Sequence, residues 1–525
     1  MNRIDRCIFY SLVGVGLLLT ATFALLWFWP TSIPDNFTGL PHVLDFLFFA
    51  AVSYVVWHQI SMEVLTWMIA EKIKHPKPLA PPAGLKVAFI TTFVPGSEPV
   101  SLLHRILPAL LAADYPHDTW LLDEGRSKEA WQVCQQYSVK YFSRQGLSHY
   151  NTPNGKFATR TKGGNHNAWY DAYGHRYDVV AQIDTDFIPH KDFLTKTLGY
   201  FRDPAVAFVG TPQIYGNEHR SFVAKGAAEQ QYNFYGPVLK GLYGRDTMML
   251  LGANHVIRVA ALKDIDYYEG HLTEDLLTGM TLHGGGWKSV YVPAPLAEGE
   301  GPETWVAYFN QQMRWAFGCI DILLNHSKPL FRRMSWERRR YYFLMMQHYF
   351  NGLAMAVGVA TVIASLVFGI SFASMGLDVI LVYALLVAWQ LLVGLWLQRY
   401  NIRPSGERGL LLAGKIVSIA AWPVYFMALV GVLRGKRISF KVTPKGEGQD
   451  MRVPLSVFLP HLIIGFLVAV ALAASFKTHY QSPVIVFWAV VTVVSMWGVA
   501  FGAWATGLAS SRRSRRLLAS ERLGA

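Results

Sequence analysis

Long apolar blocks occupy both ends of the chain, and a shorter-period pattern fills the middle. Residues 7–29 form a run long enough to cross roughly 30 Å of hydrocarbon. No small-residue cleavage site follows it, so a retained span is expected rather than a secretory leader. Residues 31–42 carry no Lys or Arg and read as an external loop. A second span over about 43–69 exits through Glu71-Lys72-Ile73-Lys74-His75-Pro76-Lys77, a basic segment of the cytoplasmic kind. Pro76, Pro78, Pro81 and Pro82 then make a short stiff linker.

From about residue 86 to 330 the pattern turns globular. Val87-Ala88-Phe89-Ile90-Thr91-Thr92, Thr119-Trp120-Leu121-Leu122 and Val179-Val180-Ala181-Gln182-Ile183 read as buried strands, and residues 101–113 as a helix. Strands alternating with helices predict a parallel α/β sheet, which binds ligands at the carboxyl ends of its strands. Asp123 and Asp184 fall at such ends.

After Pro329 the basic, aromatic Phe331-Arg332-Arg333-Met334-Ser335-Trp336 suits a membrane interface. Spans are expected at about 343–370 and 377–398, joined by an external turn at 371–378. The three Arg of residues 399–409 keep that segment inside. Residues 410–433 are apolar enough to cross, yet crossing would place Lys436, Arg437, Lys441 and Lys445 outside. A helix lying in the interface is therefore expected there. Spans at about 454–475 and 484–506 return the basic tail 511–522 to the cytoplasm, giving six spans with both termini inside. The resulting divisions are 1–78, a cytosolic domain at 79–330, a mixed interfacial and spanning region at 331–453, and 454–525.

Composition agrees with this layout. Hydrophobic residues make up 52% and charged residues only 16% of the chain, and the net charge is +13. The basic residues flank apolar blocks, which fits a cytoplasmic membrane face and gives no nucleic-acid stripe. Three cysteines without a CxxC exclude a disulfide framework or structural zinc of the usual spacing.

The residues that carry chemistry are mostly acids in the middle segment. Asp184-Thr185-Asp186 is an Asp-x-Asp at a strand end. Two such carboxylates suit one Mg²⁺ or Mn²⁺ with open positions for phosphate oxygens, although an isolated Asp-x-Asp is more often a solvated turn. Asp123-Glu124-Gly125 is an acidic turn or a contact to the base or ribose of a nucleotide. Thr273-Glu274-Asp275 precedes a helix. Capping explains one of its acids, and a general base for a hydroxyl, assigned to Asp275, explains the other. Gln311-Gln312-Met313-Arg314-Trp315 reads either as an interfacial anchor or as a site. In the second case Arg314 takes a diphosphate, Trp315 stacks on an acceptor sugar and Gln311 assists the donor. Lys162-Gly163-Gly164-Asn165 adds a cation on a loop that phosphate can approach, without the P-loop pattern.

Taken in chain order, Asp123, Asp184/Asp186, Thr273–Asp275 and Gln311–Trp315 resemble the motifs of the processive membrane synthases of glycosyltransferase family 2, the cellulose, curdlan, chitin and hyaluronan synthases. The resemblance runs from about Thr91 to Met451. Lys162-Gly163-Gly164-Asn165 is similar to the Lys-Ala-Gly-Asn of bacterial cellulose synthases. Gly286-Trp287 and Gly301-Pro302-Glu303-Thr304 are similar to the stretch leading to the last motif. Phe440-Lys441-Val442-Thr443-Pro444-Lys445 resembles their Phe-x-Val-Thr-x-Lys gating loop, here within 438–451, and in those enzymes an interfacial helix precedes it.

The resemblance implies a GT-A-like domain inserted between transmembrane helices, a UDP-sugar donor, a divalent cation, and β-linkage with inversion. The growing polysaccharide would leave through the spans of a plasma (bacterial inner) membrane, with accessory secretion subunits as further partners. It assigns catalysis to Thr273, Glu274 and Asp275, and the metal to Asp184 and Asp186. The donor falls to Asp123, Glu98, Lys162, Asp184, Gln311, Arg314, Thr443 and Lys445, and the acceptor to Trp315. A β-glucan from UDP-glucose is the expected product. A UDP-N-acetylglucosamine polymer and a single-sugar transfer to a lipid or oligosaccharide are the alternatives. Two departures stand out. Glu124 follows the first acid where many relatives have Asp, and the usual Asn-Glu reads Ser97-Glu98. A PilZ-type domain after the last span is not expected, nor is direct control by cyclic-di-GMP.

Overall fold

The computed structural model describes residues 1–436, 438, 453–478 and 482–523. The expected gating loop, with Thr443 and Lys445, lies outside the described residues. Seven helices among the described residues are long and apolar enough to cross a membrane: Arg3–Trp27, Val43–Ala70, Trp336–Phe368, Leu377–Tyr400, Leu412–Leu433, Leu455–Lys477 and Pro483–Thr506. Two precede a sheet domain and five follow it. The first helix starts where the Asn2 side chain accepts the Asp5 N–H at 2.7 Å. The third span, expected at 343–370, begins earlier, at Trp336. Its first turns serve the sheet domain. Arg338 pairs with Asp246 at 2.5 Å and donates to the His283 carbonyl, and Tyr341 and Tyr342 are buried.

The Leu412–Leu433 helix differs from the other six. Of its most apolar window, 61% is buried inside the protein, against 17–28% for the rest. It packs on the helices Phe222–Asn233, Trp305–Asp321 and Asn351–Phe368. The Glu229 carboxylate accepts the Gly414 N–H at 2.8 Å, satisfying one of the donors that a helix start leaves open.

The sheet domain has seven main strands in the order β3-β2-β1-β4-β8-β6-β9. They are β1 (Val87–Phe93), β2 (Asp118–Asp123), β3 (Lys140–Phe142), β4 (Val179–Asp184), β6 (Val206–Gly210), β8 (His255–Arg258) and β9 (Lys288–Tyr291). A small second sheet joins β5 (Ile188–Pro189), β10 (Ala297–Gly299) and β7 (Ile214–Tyr215). The expectation of a parallel sheet is corrected: β8 runs antiparallel to both β4 and β6. A short run that is buried on both faces has no polar alternation and carries no direction signal. The parallel part holds where the acids lie. Phe93 of β1 pairs with Asp123 and Thr92 with Asp184, so both acids flank the carboxyl end of β1.

Close backbone approaches seat this domain on the spans. A Cβ on Gly244 would lie 1.8 Å from the Lys72 carbonyl oxygen, and one on Gly241 would lie 2.2 Å from that of Ile69. The buried Lys240 ammonium donates to the Tyr400 carbonyl at 2.6 Å, at the end of the Leu377–Tyr400 helix. Burial lowers the Lys240 pKa to about 8.

Candidate active site

The edge of the sheet beyond β1 and β4 gathers most of the expected residues. Asp123 is fully buried. Its carboxylate accepts the Gly125 N–H at 2.8 Å, the Ser127 N–H at 2.6 Å and the Tyr141 hydroxyl at 2.8 Å. It therefore shapes the loop after β2, and burial together with this acid pushes the Tyr141 phenol up. Glu124, the departure in the sequence, makes a two-pronged pair with the fully buried Arg144, at 2.9 and 2.5 Å. The rest of that guanidinium donates to the carbonyls of Tyr150, Phe157 and Ala158 at 3.0–3.1 Å. One buried cation thus ties the loop after β2 to the loop leading to Lys162.

Lys162 is not on a loop, as expected from its glycines, but opens the helix Lys162–Tyr173. Thr161 caps that helix by accepting the Gly164 N–H. Gly164 is needed for close approach: a Cβ there would lie 2.3 Å from the Ala158 carbonyl oxygen. The Lys162 ammonium donates to Asp184 Oδ1 at 2.5 Å and to the Gly252 carbonyl at 2.6 Å. Thr185 donates its hydroxyl to Glu98 at 2.7 Å, and the other Glu98 oxygen accepts the Val94 N–H. Glu98 therefore braces the middle of Asp184-Thr185-Asp186 from the β1 side. Asp186 is nearly buried, and its charge acts on Tyr215.

Glu274 and Asp275 occupy the first turn of the helix Glu274–Gly284. The simple capping reading of Thr273 fails, because its side chain accepts no capping bond from this helix. Asp275 lies beside Gly252, where an added Cβ would come 3.0 Å from Oδ2, and Glu274 lies against Gly163. The two acids thus meet Lys162 at the Gly252 loop. Burial raises both carboxyls, and the Asp275 charge adds to the effect on Glu274, which reaches about 7. The charges of Lys162 and Arg314 pull both back down.

Arg314 comes from the helix Trp305–Asp321, with Gln311, Gln312 and Trp315. Gln311 Nε2 lies 3.4 Å from the Tyr215 hydroxyl, which also accepts from Gln231 at 2.8 Å. Gln311 Oε1 is buried with no hydrogen-bond partner among the described residues. Gln312 faces away and accepts the Tyr425 hydroxyl at 2.7 Å, fixing this helix on Leu412–Leu433. Trp315 is partly exposed on the same helix. The structure therefore brings Lys162, Asp184, Glu274, Asp275 and Arg314 into one electrostatic neighbourhood, with Asp186 and Gln311 linked through Tyr215. Asp123 and Glu98 stand behind it as braces. Tyr215, Arg144 and Gly252 carry no motif signal.

The contact that closes the site is Thr273 against Gly318. A Cβ at Gly318 would lie 2.4 Å from Thr273 Cγ2. In an open helix, Gly→Ala is worth about 1 kcal/mol in favour of Ala. Here Gly318→Ala is expected to push the two motif-bearing helices apart. It should lower the turnover number at least tenfold while leaving the protein folded, as read by nucleotide release and a melting curve.

The fold and site define a mixed α/β domain, set between apolar helices, with carboxylates and cations gathered beside the carboxyl end of β1. The family model described as "Glycosyl transferase family group 2" matches residues 179–397. Cellulose synthase 2 of Novacetimonas hansenii is 25% identical over 489 residues, covering 90% of this chain and 29% of its own length. The UDP-forming cellulose synthase catalytic subunit of Pseudomonas fluorescens is 27% identical, covering 68% of this chain and 47% of its own. The chain therefore spans less than half the length of these relatives. A mannosyltransferase from Pyrobaculum calidifontis, solved with GDP-Man and Mn²⁺, aligns with TM-score 0.48 at 14% identity, over 74% of this chain and all of that one. The chain is thus similar, over most of its length, to bacterial cellulose synthases, and residues 179–397 carry the group 2 glycosyltransferase pattern.

Proposed function

We propose that this chain is a processive, inverting glycosyltransferase that polymerises a β-glucan from UDP-glucose and passes it across the membrane. The observation that carries this reading is the meeting of Asp275 with Lys162 and Arg314 beside Asp184. Asp275 takes the proton of the acceptor hydroxyl as that oxygen attacks the anomeric carbon from the face opposite the nucleotide. Lys162 and Arg314 face the diphosphate as it leaves, and Gln311 Oε1 offers an acceptor to the donor sugar. Asp184 and Asp186 would hold a Mg²⁺ or Mn²⁺, which when bound offsets charge on the leaving diphosphate. The donor set fits such an ion: both ligands are carboxylates, and a cation, Lys162, already rests against Asp184. Trp315 offers a stacking face to the acceptor sugar. The Leu412–Leu433 helix, covered by protein, serves as the interfacial helix under the cytosolic 79–330 domain, with both termini inside. Thr443 and Lys445 complete the donor site by resemblance.

The test is UDP release from vesicles with Mg²⁺, comparing UDP-glucose with UDP-N-acetylglucosamine. Release with UDP-glucose alone and an insoluble product supports the reading. Release only with UDP-N-acetylglucosamine, or a product one sugar long, overturns it.

The carboxyl pair adds a pH signature. Asp275 and Glu274 share one site, so their two protons leave in separate steps. The base works deprotonated, so rate rises with pH, and its last step is expected near the Glu274 value of about 7. Glu274→Gln should erase that step and leave one limb at lower pH. A profile unchanged in this variant would remove Glu274 from the pair.

A further inference from the structure

Beside Thr273, three side chains converge that the proposed reaction does not use. His271 Nε2 lies 2.9 Å and His326 Nε2 lies 3.5 Å from the same oxygen, Asp321 Oδ2. All three ligand-capable atoms lie within 4.8 Å of one another. The two imidazoles meet edge to face, with centroids 5.3 Å apart at 73°. Tetrahedral bonds of about 2.0–2.1 Å place neighbouring ligand atoms roughly 3.3 Å apart, between the two distances seen here. Chain geometry produces this arrangement. Asp321 ends the Trp305–Asp321 helix, and the following turn, Ile322–His326, is a π-turn with i→i+5 spacing. Its wider winding brings His326 back over Asp321, alongside Asn325 four residues on.

The outer contacts suit a bound ion as well. Asn325 donates to Asp321 Oδ1 at 2.7 Å, which leaves the Oδ2 side to the histidines. His271 Nδ1 lies 3.1 Å from both the backbone nitrogen and the hydroxyl of Thr273. With Nε2–H donated to Asp321, Nδ1 accepts the Thr273 N–H. With Nε2 on a metal, the proton moves to Nδ1 and is donated to the Thr273 hydroxyl, the usual outer contact of a ligating histidine. Occupancy therefore rewrites the contact to the residue that precedes Glu274 and Asp275. The site is open on one side, since His326 is 46% exposed and Asp321 22%.

We propose that His271, Asp321 and His326 form a second metal site, for a borderline transition ion such as Zn²⁺. By changing the hydrogen bond at Thr273, occupancy tunes the helix that carries the proposed base. Imidazole donors separate it from the all-carboxylate Asp184 and Asp186. The tuning rests on the proposed catalytic role of Asp275, whereas ion binding does not.

The test uses the full chain, purified with a tag that contains no histidine, at saturating Mg²⁺. Co²⁺ titration is expected to give a saturable visible band at one equivalent per chain, displaced by Zn²⁺. His326→Ala should weaken this binding at least tenfold. Zn²⁺ should lower nucleotide release in the parent and not in His326→Ala, whose rate without Zn²⁺ stays at the parent level. No saturable band, or one of equal affinity in the variant, overturns the site. A band lost in the variant with identical Zn²⁺ response in both proteins overturns the link to Thr273. Neither result depends on which sugar is transferred.

Discussion

Asp275→Asn is expected to cut UDP release by about 10²–10⁴-fold, the usual contribution of a positioned general base. At 1.36 kcal/mol per tenfold, the transition state loses about 3–5 kcal/mol. The substitution keeps size and can still accept the Leu276 N–H that the Asp275 carboxylate accepts at 2.8 Å. The loss should therefore lie in turnover rather than in donor binding. Stability should move the other way. Burial raises the Asp275 carboxyl above its unfolded value, so the folded chain holds that proton more tightly than the unfolded chain. Its ionised form costs stability once pH exceeds the unfolded value, and the full cost is present above the folded one. Asp275→Asn should thus raise the melting temperature at pH 8 and change it little at pH 4. An active Asp275→Asn enzyme would remove the base. An inactive one that melts lower at pH 8 would make Asp275 a structural residue.

The motifs lay in plain view because acids at strand ends are rare where a chain is otherwise apolar. Asp184 follows five buried residues of β4, and Thr273-Glu274-Asp275 starts a helix that capping alone does not explain. What sequence could not supply was the joinery. That Lys162 starts a helix depends on Thr161 capping it and on Gly164 fitting under the Ala158 carbonyl, a contact made by tertiary packing. The Glu124–Arg144 pair joins residues twenty apart across a helix and a strand, beyond any helical or strand period. The direction of β8 is fixed by its partners β4 and β6, not by His255-Val256-Ile257-Arg258 itself. The seven apolar helices were legible from length and hydropathy. That Leu412–Leu433 is sheathed by protein was not, since burial against protein and against lipid asks for the same side chains.

The same electrostatics set what divalent ions do. Removing them with EDTA is expected to reduce nucleotide release at least a thousandfold, with recovery on adding Mg²⁺ or Mn²⁺. In the proposed mechanism Asp184 and Asp186 face the diphosphate, and two like charges about 4 Å apart repel by about 4 kcal/mol at an effective dielectric of 20. The Lys162 cation is already committed to Asp184 at 2.5 Å and to the Gly252 carbonyl, and its charge also lowers Glu274 and Asp275. One lysine therefore cannot neutralise two carboxylates and an incoming diphosphate together. Asp186→Asn should raise the Mg²⁺ concentration for half-maximal release by more than tenfold while keeping the maximal rate within reach at high Mg²⁺. Lys162→Met, by contrast, should weaken the donor and leave the dependence on Mg²⁺ in place. If full release persists in EDTA, the carboxylates of Asp184 and Asp186 do not face the diphosphate, and Lys162 and Arg314 are the cations the leaving group meets.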